Sequence, residues 1–221
     1  MRYRSEYEAR RALVEACREM TARGINQGTS GNISVRYEDR LLISPSGIPY
    51  DTMAPDDVIS MDMAGTWKGV AGNVPSSEWR FHLDVMNARP DVNAVVHAHP
   101  IHATIIAIMG RSIPPLHYMI AVGGGHDIPC APYATYGTAE LSRHAVKALT
   151  ERHVCLLANH GMIATGATLA KAMWRAVEVE VLAHQYYGCL QLGEPTLLSA
   201  EQVDEVLEKW GEYGLREPET R

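Results

Sequence analysis

Short apolar runs separated by Gly, Ser, Asn and Pro clusters fill the middle of the chain, and this alternation constrains the fold most. Residues 25–51 are typical of strands around tight turns, with a hairpin tip at residues 38–40. VISMDMAGTWKG, residues 58–69, predicts a further hairpin, and NAVVHAHP, residues 93–100, predicts a strand. HVCLLANHGMIATG, residues 153–166, predicts a strand and a turn. The middle of the chain should therefore form a sheet.

Helical patterns lie between these strands and at both ends of the chain. Helices are predicted over residues 5–20, 76–89, 102–110, 138–152, 168–190 and 199–210. Ser76 or Ser77 is expected to cap the second of them, and Ser199 with Gln202 has the spacing of a capping box. Residues 114–137 contain too many turns for a helix and predict short β runs. We expect a single α/β domain over residues 1–221, with a mixed sheet covered by helices.

Composition and charge exclude several classes of protein. The 221 residues carry a net charge of −6 and no run of Lys or Arg, which disfavours nucleic-acid binding. The four cysteines lie far apart without a CxxC pair, so neither a thiolate zinc site nor a disulfide framework is indicated. The N-terminal pattern is not that of a signal peptide, and no segment reaches the roughly 18 apolar residues of a membrane span. We expect a cytoplasmic protein that binds no membrane.

Two histidines spaced by one residue stand at the end of an apolar strand. Because side chains alternate along a strand, Val95, His97 and His99 should point to one side, with the histidine positions ~6.6 Å apart. His160 also follows an apolar strand, where side chains emerge into a crevice. Glu78 lies in the first turn of a predicted helix and is the best carboxylate candidate. Three imidazoles would leave a fourth position on a zinc ion for such a carboxylate or for a substrate oxygen.

The alternative is that these side chains are ordinary core or surface residues. Lone histidines usually are, and Glu78 alone would be a favourable charge at a helix N-terminus. Burying two adjacent imidazoles without partners is unfavourable, which favours the metal interpretation for the spaced pair. His102 lies beyond Pro100 in a predicted helix and is interpreted as structural. The same interpretation is given to His117, His126, His144, His153 and His184.

Three small-residue segments suggest an anion site. GTSGN, residues 28–32, and SPSG, residues 44–47, offer backbone N–H groups and hydroxyls that an oxyanion can approach closely. Ser76 and Ser77 add hydroxyls before a predicted helix N-terminus. Each segment alone could be only a turn or a cap, whereas the three together suggest a phosphate site without basic residues.

The order of these motifs along the chain resembles the class II aldolase and adducin family. The resemblance covers nearly the whole chain and rests on NQGTSGNISVRY, ISPSGIPY, PSSEWRFH, AVVHAHPIHAT, HYMIA, IPCAPYAT, LLANHGMIA and YGLR. It implies an α/β fold with a central, mainly antiparallel sheet and helices on both sides. It also implies a homotetramer with active sites at the subunit interfaces.

The resemblance further implies a role for each site residue. Zinc would be held by His97, His99 and His160, with Glu78 a ligand that substrate frees for proton transfer. Phosphate would be held by residues matching Thr29, Gly31, Asn32, Ser46, Gly47, Ser76 and Ser77. Tyr118 would come from a neighbouring subunit to transfer a proton at the aldehyde oxygen, and Tyr213 would be a mobile C-terminal residue that helps to close the site.

The implied reaction is zinc-dependent, reversible cleavage of a sugar phosphate. L-Fuculose 1-phosphate would give dihydroxyacetone phosphate and L-lactaldehyde through a metal-stabilised enediolate, and a 5-deoxypentulose 1-phosphate would give a related aldehyde. Asp127 favours another activity of the superfamily, a pentulose-phosphate 4-epimerase or a dehydratase, because such epimerases carry a catalytic acid in a similar segment. A non-catalytic, adducin-like scaffold would lack metal ligands, and the residues matching them are present here.

Overall fold

The computed structural model describes residues 3–68 and 72–210, and one sheet runs through them. Its strands are β1 (Asn32–Tyr37), β2 (Arg40–Ile43), β3 (Ile59–Asp62), β4 (Ala94–Ala98), β5 (Cys130–Ala131), β6 (Val154–Leu157) and β7 (Gly161–Gly166). Their order is β3-β2-β1-β4-β7-β6-β5. Every neighbouring pair is antiparallel except β5 with β6, which confirms the expected mainly antiparallel sheet.

Helices cover both faces of this sheet, so the α/β class is confirmed. They are α1 (Glu6–Ala22), α2 (Trp79–Ala88), α3 (Ile101–Ile108), α4 (Ala139–Ala148), α5 (Leu169–Leu192) and α6 (Ala200–Lys209). Short 3₁₀ turns span Pro55–Asp57 and Tyr118–Gly123. Within the described ranges, none of the helices has both the length and the apolar character that a bilayer-spanning helix needs.

Side-chain alternation along β4 divides the core into two layers. Val95 packs in the layer that contains Phe81 of α2, and the His97 ring meets Phe81 edge to face at 5.3 Å between ring centroids. Val96 and Ala98 pack in the opposite layer, with α1 and α5. The predicted orientation of Val95 and His97 is therefore confirmed, and it directs His97 towards the start of α2.

Several predicted helix ends are confirmed by their caps. The Ser5 hydroxyl accepts from the backbone N–H of Glu8 at the start of α1, at 3.2 Å. Thr168 caps α5 in the same way. Ser199 and Gln202 form the predicted capping box of α6, because each side chain accepts from the other residue's backbone N–H.

The predicted cap of α2 by Ser76 or Ser77 is wrong. The helix begins at Trp79, and Glu78 occupies the cap position without a side-chain cap bond. The Ser76 backbone N–H donates to the carbonyl of Ser44 at 3.1 Å, which ties this segment to the end of β2. The helix consequently begins one or two residues later than predicted, and the Glu78 side chain points towards the buried cluster.

The predicted β runs over residues 114–137 are also largely wrong. Tyr118–Gly123 form a 3₁₀ helix whose Ile120 and Val122 are completely buried beside α5. Extended pairing in this stretch is limited to β5 and a bridge between Ile113 and Ile128. Tertiary packing of a short apolar run overrode its local β preference, which is the usual reason for such an error.

Candidate metal centre

Four side chains from separate parts of the chain converge beside the end of β4. Glu78 precedes α2, His97 lies on β4, His99 follows that strand, and His160 lies in the turn between β6 and β7. One ligand atom from each of the four residues lies within 4.8 Å of all the others. The structure thus brings together the residues that the sequence singled out as metal ligands.

Backbone pairing fixes the orientation of the His97 ring. Ala98 pairs with Met162 across β4 and β7, and the Met162 carbonyl lies 2.8 Å from Nδ1 of His97. A carbonyl can only accept, so Nδ1 carries a proton and Nε2 is the ring nitrogen left for a metal ion. Nε2 faces Oε2 of Glu78 at 3.0 Å and Nε2 of His99 at 2.9 Å. Outer partners of this kind orient metal-binding histidines.

The donor set fits a divalent cation. Nε2 of His97 and Oε2 of Glu78 lie 3.0 Å apart, and both atoms are of the types that bind a cation placed between them. Oε1 of Glu78 is buried without a hydrogen bond, although Nε2 of His160 lies 3.2 Å away at ion-pair distance. Three imidazoles and one carboxylate are ligands typical of zinc.

The local environment favours the protonation states that bind metal. Burial raises the pKa of Glu78, but the facing imidazoles of His97 and His160 lower it by more, so the net pKa lies well below its ordinary value. Burial, together with the charges of His97 and His160, lowers the pKa of His99 to about 3. Metal ligands must be deprotonated. With these lowered pKa values, Glu78 and His99 are both deprotonated at neutral pH.

Further polar groups stand directly behind Glu78. The Asn32 amide N–H donates to Oε2 of Glu78 at 3.0 Å, and its Oδ1 lies 2.5 Å from Nε2 of His82. Nδ1 of His82 lies 2.7 Å from the Ser34 hydroxyl. Burial and the charge of His97 lower the pKa of His82 to about 3, so this fully buried ring is neutral.

Gly161 allows the chain to pass against His99. A Cβ at this position would lie 2.5 Å from Cδ2 of His99 and 2.6 Å from the carbonyl of Ala98. Asn159, two residues earlier, has a left-handed φ of 55°, which tightens the turn that delivers His160. A residue larger than glycine at 161 must therefore displace a candidate ligand or its strand.

We expect Gly161→Ala to weaken zinc binding and to destabilise the fold by about 1–3 kcal/mol, because the added methyl overpacks the His99 ring and β4. Titration of the metal-free protein with Zn²⁺ against a chromophoric chelator, with thermal unfolding in parallel, measures both effects. Gly188→Ala in α5 is the matched control, because its Cβ would have no atom within 4 Å and alanine favours a helix. Equal zinc affinity in Gly161→Ala and the wild type would contradict the contact.

A cavity of about 370 Å³ opens next to the four side chains. It is lined by Glu78, His99 and His160 and by all the residues predicted to hold phosphate, namely Thr29, Gly31, Asn32, Ser46, Gly47, Ser76 and Ser77. Neither Lys nor Arg occurs among the described residues that line it. An anion there would meet hydroxyls and backbone N–H groups, as the small-residue segments suggested.

Sequence reasoning missed two tyrosines of this cavity. Tyr133 and Tyr136 line it, and they are 61% and 65% exposed, respectively. Both lie in the IPCAPYAT and YGT stretch, which the sequence marked as a motif without assigning roles. Gly137 allows this loop to approach the cavity closely, because a Cβ there would lie only 2.8 Å from the carbonyl of Ser77. This glycine, directly after Tyr136, was the sequence signal that could have indicated a close approach of the loop.

The remaining predicted residues lie elsewhere. Tyr118 is 43% exposed and does not belong to the described lining of the cavity. Tyr213 lies outside the described residues. His102 pairs with Glu180 at 2.8 Å instead of joining the cluster. Asp127 pairs with Arg152 at 3.2 Å and lines a second cavity.

Comparison with known proteins identifies the family. The model of the class II aldolase and adducin N-terminal domain matches residues 11–187. A 5-methylthioribulose-1-phosphate/5-deoxyribulose-1-phosphate aldolase of Rhodospirillum rubrum is 52% identical over 95% of this chain and 94% of its own length. An L-fuculose phosphate aldolase of Escherichia coli is 52% identical over 93% and 95% of the two chains. A solved L-fuculose 1-phosphate aldolase superposes with a TM-score of 0.89 at 36% identity, and the match covers 92% of this chain and 96% of the solved one.

Proposed function

Because the chain belongs to the class II aldolase and adducin family, we propose that it is a zinc-dependent aldolase of deoxyketose 1-phosphates. It would cleave its substrate reversibly to dihydroxyacetone phosphate and an aldehyde. The observation that carries the proposal is the convergence of Glu78 with three imidazoles at the edge of a cavity lined by small hydroxyl and glycine residues.

His97, His99, His160 and Glu78 would hold the cation. A bound zinc ion would supply a Lewis acid that stabilises the negative charge developing on the ketose when its C3–C4 bond breaks. No Schiff-base lysine is then needed, in agreement with the absence of lysine from the described cavity lining. His97 lies on β4, His99 directly follows that strand, and His160 lies in the turn before β7, so the three imidazoles would keep a constant geometry during turnover.

The phosphate of the substrate would occupy the opposite part of the cavity. Thr29, Ser46 and Ser77 can donate hydroxyl hydrogen bonds, and Gly31 and Gly47 allow an oxyanion to approach the backbone. The side chain of Asn32 is engaged with Glu78 and His82. We therefore assign the phosphate contact of that residue to its backbone.

Glu78 and Tyr118 would move the protons. The Glu78 carboxylate is buried and ionised at the edge of the cavity, where it can return a proton to C3 once substrate takes its place at the cation. Tyr118, from a neighbouring subunit, would take the proton of the C4 hydroxyl. Tyr213, at the C-terminal end, would help to close the site over the substrate.

Product analysis tests this proposal directly. Purified zinc-loaded protein is incubated with L-fuculose 1-phosphate, 5-deoxyribulose 1-phosphate, 5-methylthioribulose 1-phosphate and ribulose 5-phosphate, and triose phosphate is measured. Release of dihydroxyacetone phosphate from one or more of the deoxyketose 1-phosphates is expected, and their kcat/KM values identify the preferred aldehyde. Conversion of ribulose 5-phosphate to xylulose 5-phosphate without triose phosphate would instead show the epimerase, which the position of Asp127 beside Arg152 does not favour.

We also propose a homotetramer with active sites at the subunit interfaces. Apolar side chains are exposed on two packed helices: Ile101 and Ile108 of α3 are each 56% exposed, and Val181 of α5 is 45% exposed. Burial of such side chains against a second copy would remove apolar area from water. Tyr118, exposed in the single chain, would then reach the cavity of its neighbour.

Mixing two inactive variants, Tyr118→Phe and His97→Ala, is expected to restore activity. A site that takes its metal ligands from one variant and its tyrosine from the other would be intact, which random reassembly yields at roughly one quarter of the sites. The measurement is aldol cleavage after the variants are unfolded together and refolded, with each variant treated alone as control. Activity that stays at the sum of the two separate samples would contradict a shared site.

The cytoplasm is the proposed compartment. The four cysteines, Cys17, Cys130, Cys155 and Cys189, are all free thiols in the structure. A reducing compartment maintains thiols in that state, whereas secreted proteins commonly use them in disulfides.

A further inference from the structure

A continuous chain of buried hydrogen bonds leads from β1 to Glu78. The Ser34 hydroxyl lies 2.7 Å from Nδ1 of His82, and Nε2 of His82 lies 2.5 Å from Oδ1 of Asn32. The Asn32 amide nitrogen lies 3.0 Å from Oε2 of Glu78. Ser34 and His82 have no exposed surface, and Asn32 and Glu78 are 4% and 5% exposed. The hydrogen-bond chain is therefore shielded from solvent except where Asn32 and Glu78 line the cavity.

The hydrogen bonds of this chain can all donate in only one direction, towards Glu78 at one end and from Ser34 at the other. A carboxylate accepts hydrogen bonds, so the Asn32 amide must turn its NH₂ group to Glu78 and its oxygen to His82. His82 must then carry its proton on Nε2 and present a lone pair on Nδ1. The Ser34 hydroxyl must donate to that lone pair. The charge of Glu78 thus sets every proton position back to β1.

Two regular elements supply the spacing of this chain. Asn32 and Ser34 are two residues apart on β1, so both face α2. His82 stands four residues after Glu78, one helical turn along α2 and on the same side. The geometry therefore depends on the packing of α2 against β1 and not on a flexible loop.

We infer that Ser34 and His82 are positioning residues that hold the Asn32 amide, and through it Oε2 of Glu78, in a fixed orientation. One oxygen of the carboxylate would stay anchored while Oε1, which accepts no hydrogen bond, remains available beside His160. This inference rests on the proposed function, in which Glu78 both binds the cation and moves a proton. Loss of outer-shell partners of metal ligands typically lowers metal affinity or activity by about 10- to 100-fold.

The first measurement concerns the proton positions themselves and requires no activity. Long-range ¹H–¹⁵N spectra of metal-free protein labelled in histidine should show His82 protonated at Nε2 and unprotonated at Nδ1, with Ser34→Ala perturbing the Nδ1 shift. A His82 protonated at Nδ1 would overturn the inference whether or not the protein is an aldolase.

The second measurement compares variants. Ser34→Ala and His82→Leu are expected to raise the zinc Kd by about 10- to 100-fold and to slow deuterium exchange at C3 of dihydroxyacetone phosphate, a partial reaction without aldehyde. His82→Gln should recover part of both losses, because an amide can also donate to Asn32 and accept from Ser34. Thr165→Val is the matched control, since Thr165 is equally buried, lies across β4 from Ser34 and donates only to the carbonyl of His153.

The outcomes separate this inference from the proposed function. Wild-type zinc affinity and exchange in folded Ser34→Ala and His82→Leu would overturn the positioning role. The expected tautomer and zinc effects in a protein that cleaves no ketose phosphate would support the positioning of Glu78 and reject the aldolase. Should His82→Leu fail to fold, Ser34→Ala and His82→Gln decide the question by the same measurements.

Discussion

Replacing His97 by Ala is expected to abolish tight zinc binding and to lower the rate of aldol cleavage by at least ~10³-fold. His97 lies at the centre of the cluster, with Nε2 within 3.0 Å of both Glu78 and His99. Its ring is fully buried and its tautomer is set by the Met162 carbonyl. The substitution removes one of the four candidate ligands and leaves a gap beside Phe81.

Zinc content after dialysis, a chelator-competition Kd and kcat with the preferred ketose phosphate measure this effect. His126→Ala is the control, because the His126 side chain is 45% exposed and pairs only with Asp204 among the contacts described. A His97→Ala protein that keeps one zinc per subunit with unchanged affinity would disprove the assignment of the metal centre. Thermal unfolding with and without Zn²⁺ shows whether any loss reflects the site or the fold, since a bound metal stabilises only the state that binds it.

Replacing Glu78 by Gln is expected to lower kcat by about 10²- to 10⁴-fold, the usual contribution of a positioned general acid or base. An amide cannot accept and return a proton as a carboxylate does. In addition, the Asn32 amide now donates to Oε2 of Glu78, and an NH₂ group at that position would place two donors opposite each other. Zinc affinity should fall less than in His97→Ala, because the three imidazoles remain.

The distinguishing measurement for Glu78→Gln is the exchange of the C3 proton of dihydroxyacetone phosphate in D₂O. We expect this exchange to be lost while zinc remains bound at saturating concentration. Glu140→Gln, a change of an exposed carboxylate in the first turn of α4, should leave exchange and cleavage as in the wild type. Normal exchange in zinc-saturated Glu78→Gln would remove Glu78 from proton transfer and leave it only a ligand.

Local sequence patterns were sufficient to predict the strand that carries His97 and the caps of α1, α5 and α6. These features depend on periodicity and on side chains that bond to their own helix ends, which are properties of neighbouring residues. The same alternation placed His97 on the side of the sheet that faces α2. The grouping of His97 and His99 with His160 and Glu78 was predicted from their residue types and from their positions near strand ends or a helix start. The family resemblance supported the same grouping.

Features that depend on distant contacts were not predictable in this way. The pairing of Ala98 with Met162 sets the distance between His97 and His160, and sequence spacing contains no information about that register. The 3₁₀ helix of residues 118–123 follows from burial against α5. Asn32 was assigned to phosphate alone because its partner His82 lies 50 residues away in the chain and becomes a neighbour only when α2 packs on β1.

The four candidate ligands differ in how firmly the fold restrains them. His97 belongs to a central strand and His160 to a tight turn joining two paired strands, so shifting either would break ladder hydrogen bonds. Glu78 stands at the N-terminal end of α2, outside the strand ladders, and its side chain makes no cap bond. Displacement of Glu78 consequently costs the least backbone order, which makes the carboxylate the exchangeable arm of the site and the histidines its rigid frame.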